Sequence, residues 1–224
     1  MQGMFYLAIA FDGDISSWNT AAVTNMDSMF KQAEAFNQNI GSWNTAAVTT
    51  MKGLFWYALV FDQDITSWNT AAVINMESMF QYARVFNQNI NTSGSSWNTA
   101  AVTKMGNMFR NANAFNQDIS SWNTAAVTDM SYMFYAGETG VSVFNGNITS
   151  WNTTAVTNMS NMFAAASAFN QNINTSGSSW NTAAVTNMSG MFNSASAFNG
   201  NISLWNTAAV TSMASMFQSA SAFN

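Results

Sequence analysis

Residues 36–58 read FNQNIGSWNTAAVTTMKGLFWYA, and nearly every feature of this stretch returns along the chain. Trp43 has counterparts at Trp18, Trp68, Trp97, Trp122, Trp151, Trp180 and Trp205, spaced by 25 or 29 residues. Each 29 is a 25 with four residues added. Two additions lie between Ile90 and Trp97 and between Ile173 and Trp180, both reading NTSGSS before the Trp, and the third lies between Phe134 and Phe144. Insertions confined to such points mark surface loops on a fixed unit. The element M-x-x-M-F begins nine times, at Met1, Met26, Met51, Met76, Met105, Met130, Met159, Met188 and Met213, and it holds all 17 Met, with Leu54 replacing one. The 18 Phe occupy two positions of the unit, and Trp56 alone stands outside the Trp column. Self-similarity at a fixed period is the signature of a repeat architecture.

Within one unit, Val48, Met51, Leu54, Phe55 and Ala58 recur at three- and four-residue steps, which predicts a helical or 3₁₀ stretch with one buried face. Asn44 and Thr45 read as its N-caps. The stretch Phe36–Ile40 reads as a short strand with Ile40 inward and Asn39 and Gly41 outward. No single unit can bury two Phe, a Trp, an Ile, a Val and two Met, whereas stacked units cover one another. The expected fold class is an α/β repeat solenoid of about nine 25-residue coils. Each coil would carry a short parallel β-strand and a short α or 3₁₀ helix, with Phe over Phe and Trp over Trp. Residues 1–224 are expected to form one continuous repeat domain. The chain starts and stops inside a unit, which suggests part of a longer array or ends covered by neighbours, in an end-to-end or side-packed assembly.

Composition narrows the function classes. With no Cys and no His, disulfides, thiolate metal sites, cysteine nucleophiles and imidazole bases are out of reach. A net charge of −5, from ten acids and five bases, argues against nucleic acid as a partner. The longest strongly apolar run, Met4–Phe11, falls well short of the ~20 residues a transmembrane helix needs, so no transmembrane segment is expected. No enzyme activity, cofactor or metal is expected. Asp12 with Asp14 and Asp62 with Asp64 are carboxylate pairs that a calcium ion or a glycosidase reaction would use. Yet Asn replaces Asp in the same columns, at Asn39, Asn89, Asn147, Asn172 and Asn201, which reads as a polar face.

The pattern W-N-T-A-A-V-T-N-M-x-x-M-F-x-x-A-x-A-F-N-Q-N-I resembles the repeat of BspA-like leucine-rich-repeat surface proteins, whose units read W-D-x-S-x-V-T-x-M-x-x-M-F-x-x-A-x-x-F-N-x-D-I. The likeness runs over essentially all of residues 1–224. It implies a leucine-rich-repeat-like solenoid of an extracellular or cell-surface protein, with roles in adhesion and binding.

Function is therefore expected to be recognition of a protein or glycan through the repetitive strand face. The candidate binding residues are the outward positions before the strand Ile: Asp14, Asn39, Asp64, Asn89, Asp118, Asn147, Asn172 and Asn201. Of the N-x-S/T sequons, Asn91 and Asn174 sit in the inserted loops and read as the accessible glycosylation candidates. After Glu138 no charged residue follows, which favours an alternative role as an architectural or linker subunit of a larger, intracellular or organellar assembly. Two Thr columns, one beginning at Thr20 and one at Thr24, offer ice binding as a further alternative.

Overall fold

A computed structural model describes residues 1–137, 142–176 and 179–224. Successive units lie one on the next in register, joined by single-residue parallel bridges running Asn25, Thr50, Asn75, Lys104, Asp129, Asn158, Asn187, Ser212. Among the described residues there is no helix and no strand longer than these bridges. The expected α/β solenoid, with a strand and a helix in each coil, is therefore overturned.

What replaces the helix is a chain of linked turns. From Met51 onward, Leu54 N–H donates to Met51 O, Trp56 N–H to Gly53 O and Ala58 N–H to Phe55 O, each spanning three residues. The intervening N–H groups leave the coil altogether: those of Met51, Gly53, Phe55 and Tyr57 donate to the carbonyls of Asn75, Glu77, Met79 and Gln81 in the next coil, at 2.8–3.0 Å. Backbone groups are thus satisfied alternately within and between coils, which answers the demand that buried N–H and C=O groups be paired. Gly53 and Tyr57, four residues apart, have φ of 57° and 64°, and the equivalent pairs recur as Ser28 with Gln32 and Ser78 with Tyr82. A left-handed residue at every fourth position closes type II turns and cannot sit in a right-handed helix. The three- and four-residue apolar spacing is still served, because these turns put Met51, Leu54, Phe55 and Ala58 inside with no exposed surface.

The stretch expected as a strand is held mainly by side chains. Asn37 N–H donates to Asp12 Oδ1, Asp62 N–H to Asn37 Oδ1, and Asn87 N–H to Asp62 Oδ1. This ladder, with bonds of 2.8–3.2 Å, continues to Asn224. The carbonyls of Ile15, Ile40, Ile65, Ile119 and Ile148 each accept twice. Ile40 O takes Trp43 N–H of its own coil and the Trp68 indole N–H of the next, at 3.1 and 3.0 Å.

The core is one continuous cluster. Within a coil, Phe55 and Phe61 stack at 3.9 Å between ring centroids, and between coils Phe55 stacks on Phe80 at 5.7 Å. Trp97, Trp122 and Trp151 stack at 6.3 and 6.2 Å. Every coil thus buries its aromatics against copies of themselves, so its stability depends on its neighbours.

Candidate binding surface

The eight candidate residues from Asp14 to Asn201 form one exposed column, one residue per coil. In each, a side-chain oxygen accepts the N–H two residues on, at 2.9–3.2 Å. This is the Asx turn that Asn and Asp favour for their short polar side chains. It explains why the two residues interchange here, since both offer the same acceptor. At Asp14 the Ser16 N–H and hydroxyl hold the carboxyl below its ordinary value, and at Asp64 those of Thr66 do the same. The outer half of the side chain is left for a ligand, an amide N–H₂ where the residue is Asn and a carboxylate oxygen where it is Asp, except at Asp118, whose Oδ2 accepts from the Asn91 amide at 3.3 Å.

The two Thr columns prove unlike. Thr20 to Thr182 are at most 1% exposed, and their hydroxyls donate to the next coil, as Thr45 Oγ1 does to Asn69 O at 2.9 Å. They cap no helix, and neither does Asn44, whose Oδ1 closes an Asx turn on Ala46 N–H. The column from Thr24 to Thr211 faces outward, interrupted by Ile74, and from Thr49 onward each hydroxyl donates back to the preceding coil. Only one Thr rank therefore reaches the surface.

The sequon loops also differ from expectation. Asn174 is 6% exposed, and its Oδ1 accepts from Thr175 N–H and Leu204 N–H, so its expected accessibility does not hold. Asn91 is half-buried and is engaged by Asp118 and Ser121 of the next coil.

A second surface emerges along the turn chain, where all five Tyr lie together with Trp56, Lys31 and Arg110, all at least partly exposed except the buried Tyr82. Lys31 Nζ lies 3.7 Å from the Trp56 ring centroid, Tyr57 stacks on Tyr82 at 4.4 Å, and the Arg110 guanidinium sits over Tyr132 and Tyr135. Such pairs are worth roughly 0.5–1 kcal/mol each at exposed sites. The signal for this stripe was present: these residues are the departures from the repeat. Among the described residues no three carboxylates converge on one point. No helix among the described residues is long and apolar enough to cross a membrane.

Stacked coils with ranks of identical outward groups define a repeat protein. More particularly, the chain belongs to the family described as "Mycoplasma protein of unknown function, DUF285", whose pattern matches residues 1–93, 90–140 and 139–224. Comparison with curated proteins and with solved structures found no match.

Proposed function

We propose that this chain is a non-enzymatic binding module that recognises protein or glycan through its exposed Asx column, as part of a surface adhesin. The observation that carries the reading is the column itself. Eight equivalent polar side chains stand one coil apart, held by their own turns, with their outer hydrogen-bonding groups turned to solvent except at Asp118, which also accepts from Asn91. Weak contacts repeated at a fixed interval give avidity that no single contact has. The BspA-like pattern of the repeat adds support, since that group works by adhesion. The test replaces Asn39, Asn89, Asn147 and Asn172 together by Asp, which keeps every turn acceptor, as Asp14, Asp64 and Asp118 already do, but removes four outward amides. Binding to a panel of matrix proteins and glycans should fall by about tenfold or more. Unchanged binding sinks the reading. The absence of charge beyond Glu138 favours a second reading, an architectural subunit, which would co-purify with partners in fixed stoichiometry.

A further inference from the structure

The aromatic stripe stops abruptly at Tyr135. In the column after the first Phe of each unit the residues run Tyr6, Lys31, Trp56, Gln81, Arg110, Tyr135 and then Ala164, Asn193. Beyond Tyr135 the surface drops to a groove of about 380 Å³, lined by Tyr135, Gly137, Asn161, Ala164, Ala165, Asn193 and Ser194. That volume lies at the lower end of ordinary small-ligand sites, about 300–1,000 Å³. We infer that this groove is a subsite for a neutral pyranose ring, which lies against Tyr135 and is gripped by the amides of Asn161 and Asn193. The inference goes beyond the Asx-column reading, because it places glycan recognition on a different face.

Three features show a built site. Arg110 covers one face of Tyr135 at 4.9 Å and the Tyr132 ring meets it nearly edge-on at 5.5 Å, so the phenol is fixed before any ligand arrives. The next coil carries the small Ala164, 3% exposed, at the equivalent position, so it offers the Tyr135 ring no aromatic stacking partner. Two glycines make room for the walls: a Cβ at Gly137 would collide with the Tyr135 phenol oxygen, and one at Gly190 with Asn161 Oδ1.

The lining chemistry selects the ligand class. Apart from the phenol, none of the lining side chains ionises, so the lining itself carries no fixed charge. Asn161 makes no side-chain hydrogen bond among the described residues, and Asn193 uses its Oδ1 for Ser194 at 2.8 Å, leaving its N–H₂ as donor. Amides both donate and accept, as a ring of hydroxyls requires. One aromatic face with flanking amides suits a sugar, which has an apolar C–H face and a hydroxylated rim. A polyproline peptide would ask instead for a groove of several aromatics.

The test is saturation-transfer NMR on the full chain with cellobiose, maltose, lactose and chitobiose, and with decaproline as the competing class. At least one disaccharide should receive saturation through its C–H face. Tyr135→Ala should weaken it about tenfold or more. Ala164→Trp, which places at 164 the residue that position 56 already carries, should abolish binding while the fold and its thermal midpoint are kept. The fourfold Asn→Asp column variant should bind the disaccharide as the parent does. The inference is overturned if none of the four sugars binds, if Tyr135→Ala and Ala164→Trp bind like the parent, or if decaproline binds through Tyr135 in place of the sugars. Binding lost in the column variant but kept in both groove variants would uphold the Asx column and overturn this groove.

Discussion

Two glycines one position apart in the unit distinguish a chain of turns from a helix. Gly53 has φ +57°, and its nearest atom to an added Cβ is Ser28 Oγ at 3.4 Å, so an alanine fits in space but not in backbone conformation. The left-handed region costs an L-residue about 1–2 kcal/mol. Fewer unfolded conformations return about 0.4–1 kcal/mol of this. Gly53→Ala should therefore destabilise by about 0.5–1 kcal/mol. Gly106 has no positive φ, and its added Cβ meets the rotatable Ser131 hydroxyl at 3.3 Å and Asp129 Oδ2 at 3.4 Å. The same position carries Asp27, Lys52, Glu77 and Ser131 in other coils, so a side chain is accepted there. Gly106→Ala should stabilise by about 0.4–1 kcal/mol. In a helix both substitutions would stabilise, by roughly 0.5–1 kcal/mol each. Thermal unfolding followed by circular dichroism reads the difference, since 1 kcal/mol moves the midpoint by about 2–4 °C in a chain of this size. A rise in midpoint for Gly53→Ala equal to that for Gly106→Ala would refute the turn chain.

The stack makes position matter as much as chemistry. Phe80 is fully buried between Phe55 and Phe109, at 5.7 Å from each, so Phe80→Ala should cost about 3–5 kcal/mol in denaturant unfolding. Phe217, partly buried and in the last coil, should cost clearly less, and equal losses at the two positions would contradict nearest-neighbour stabilisation. Acid should act through Asp14 and Asp64, whose folded-state values lie below the ordinary carboxyl value because Ser16 and Thr66 donate to them. Their contribution is complete above about pH 4 and is lost as pH falls through the lower folded values. Replacing both by Asn keeps the turns, so the thermal midpoint should fall less between neutral and acid pH than in the parent; an identical fall would exclude these two groups.

Much of this molecule was legible in the repeat. The Ile, Met, Phe and Trp columns named the core, and the column from Asp14 to Asn201 named an exposed face. The helix was misread because an apolar step of three and four serves linked three-residue turns as well as a helix. The distinguishing residues sit two after the first Met: Gly3, Ser28, Gly53, Ser78, Asn107, Asn161, Gly190 and Ser215, with Tyr132 the one exception. Gly, Asn and Ser are turn formers and poor helix interiors, so this column carried the correction. Thr45 was misread for a related reason: a capping hydroxyl and one bridging to the next coil look alike until the neighbour is placed. The Tyr135 groove depends on where a column ends, with Ala164 following Tyr135, and repeat averaging hides such breaks.

The absence of Cys makes register directly measurable by introducing pairs. Thr128 and Thr157 are equivalent outward residues of adjacent coils, with Thr157 N–H bonded to Thr128 O at 2.9 Å. Neighbouring chains at this spacing, about 4.8 Å, fall within the Cα separation a disulfide spans, about 4.4–6.8 Å. Thr186 lies one coil further, about 10 Å from Thr128 and beyond that reach. In dilute folded protein under mild oxidation, Thr128→Cys with Thr157→Cys should close an intrachain disulfide, and Thr128→Cys with Thr186→Cys should stay reduced. Efficient closure of the second pair, or none of the first, would contradict the in-register stacking of the coils.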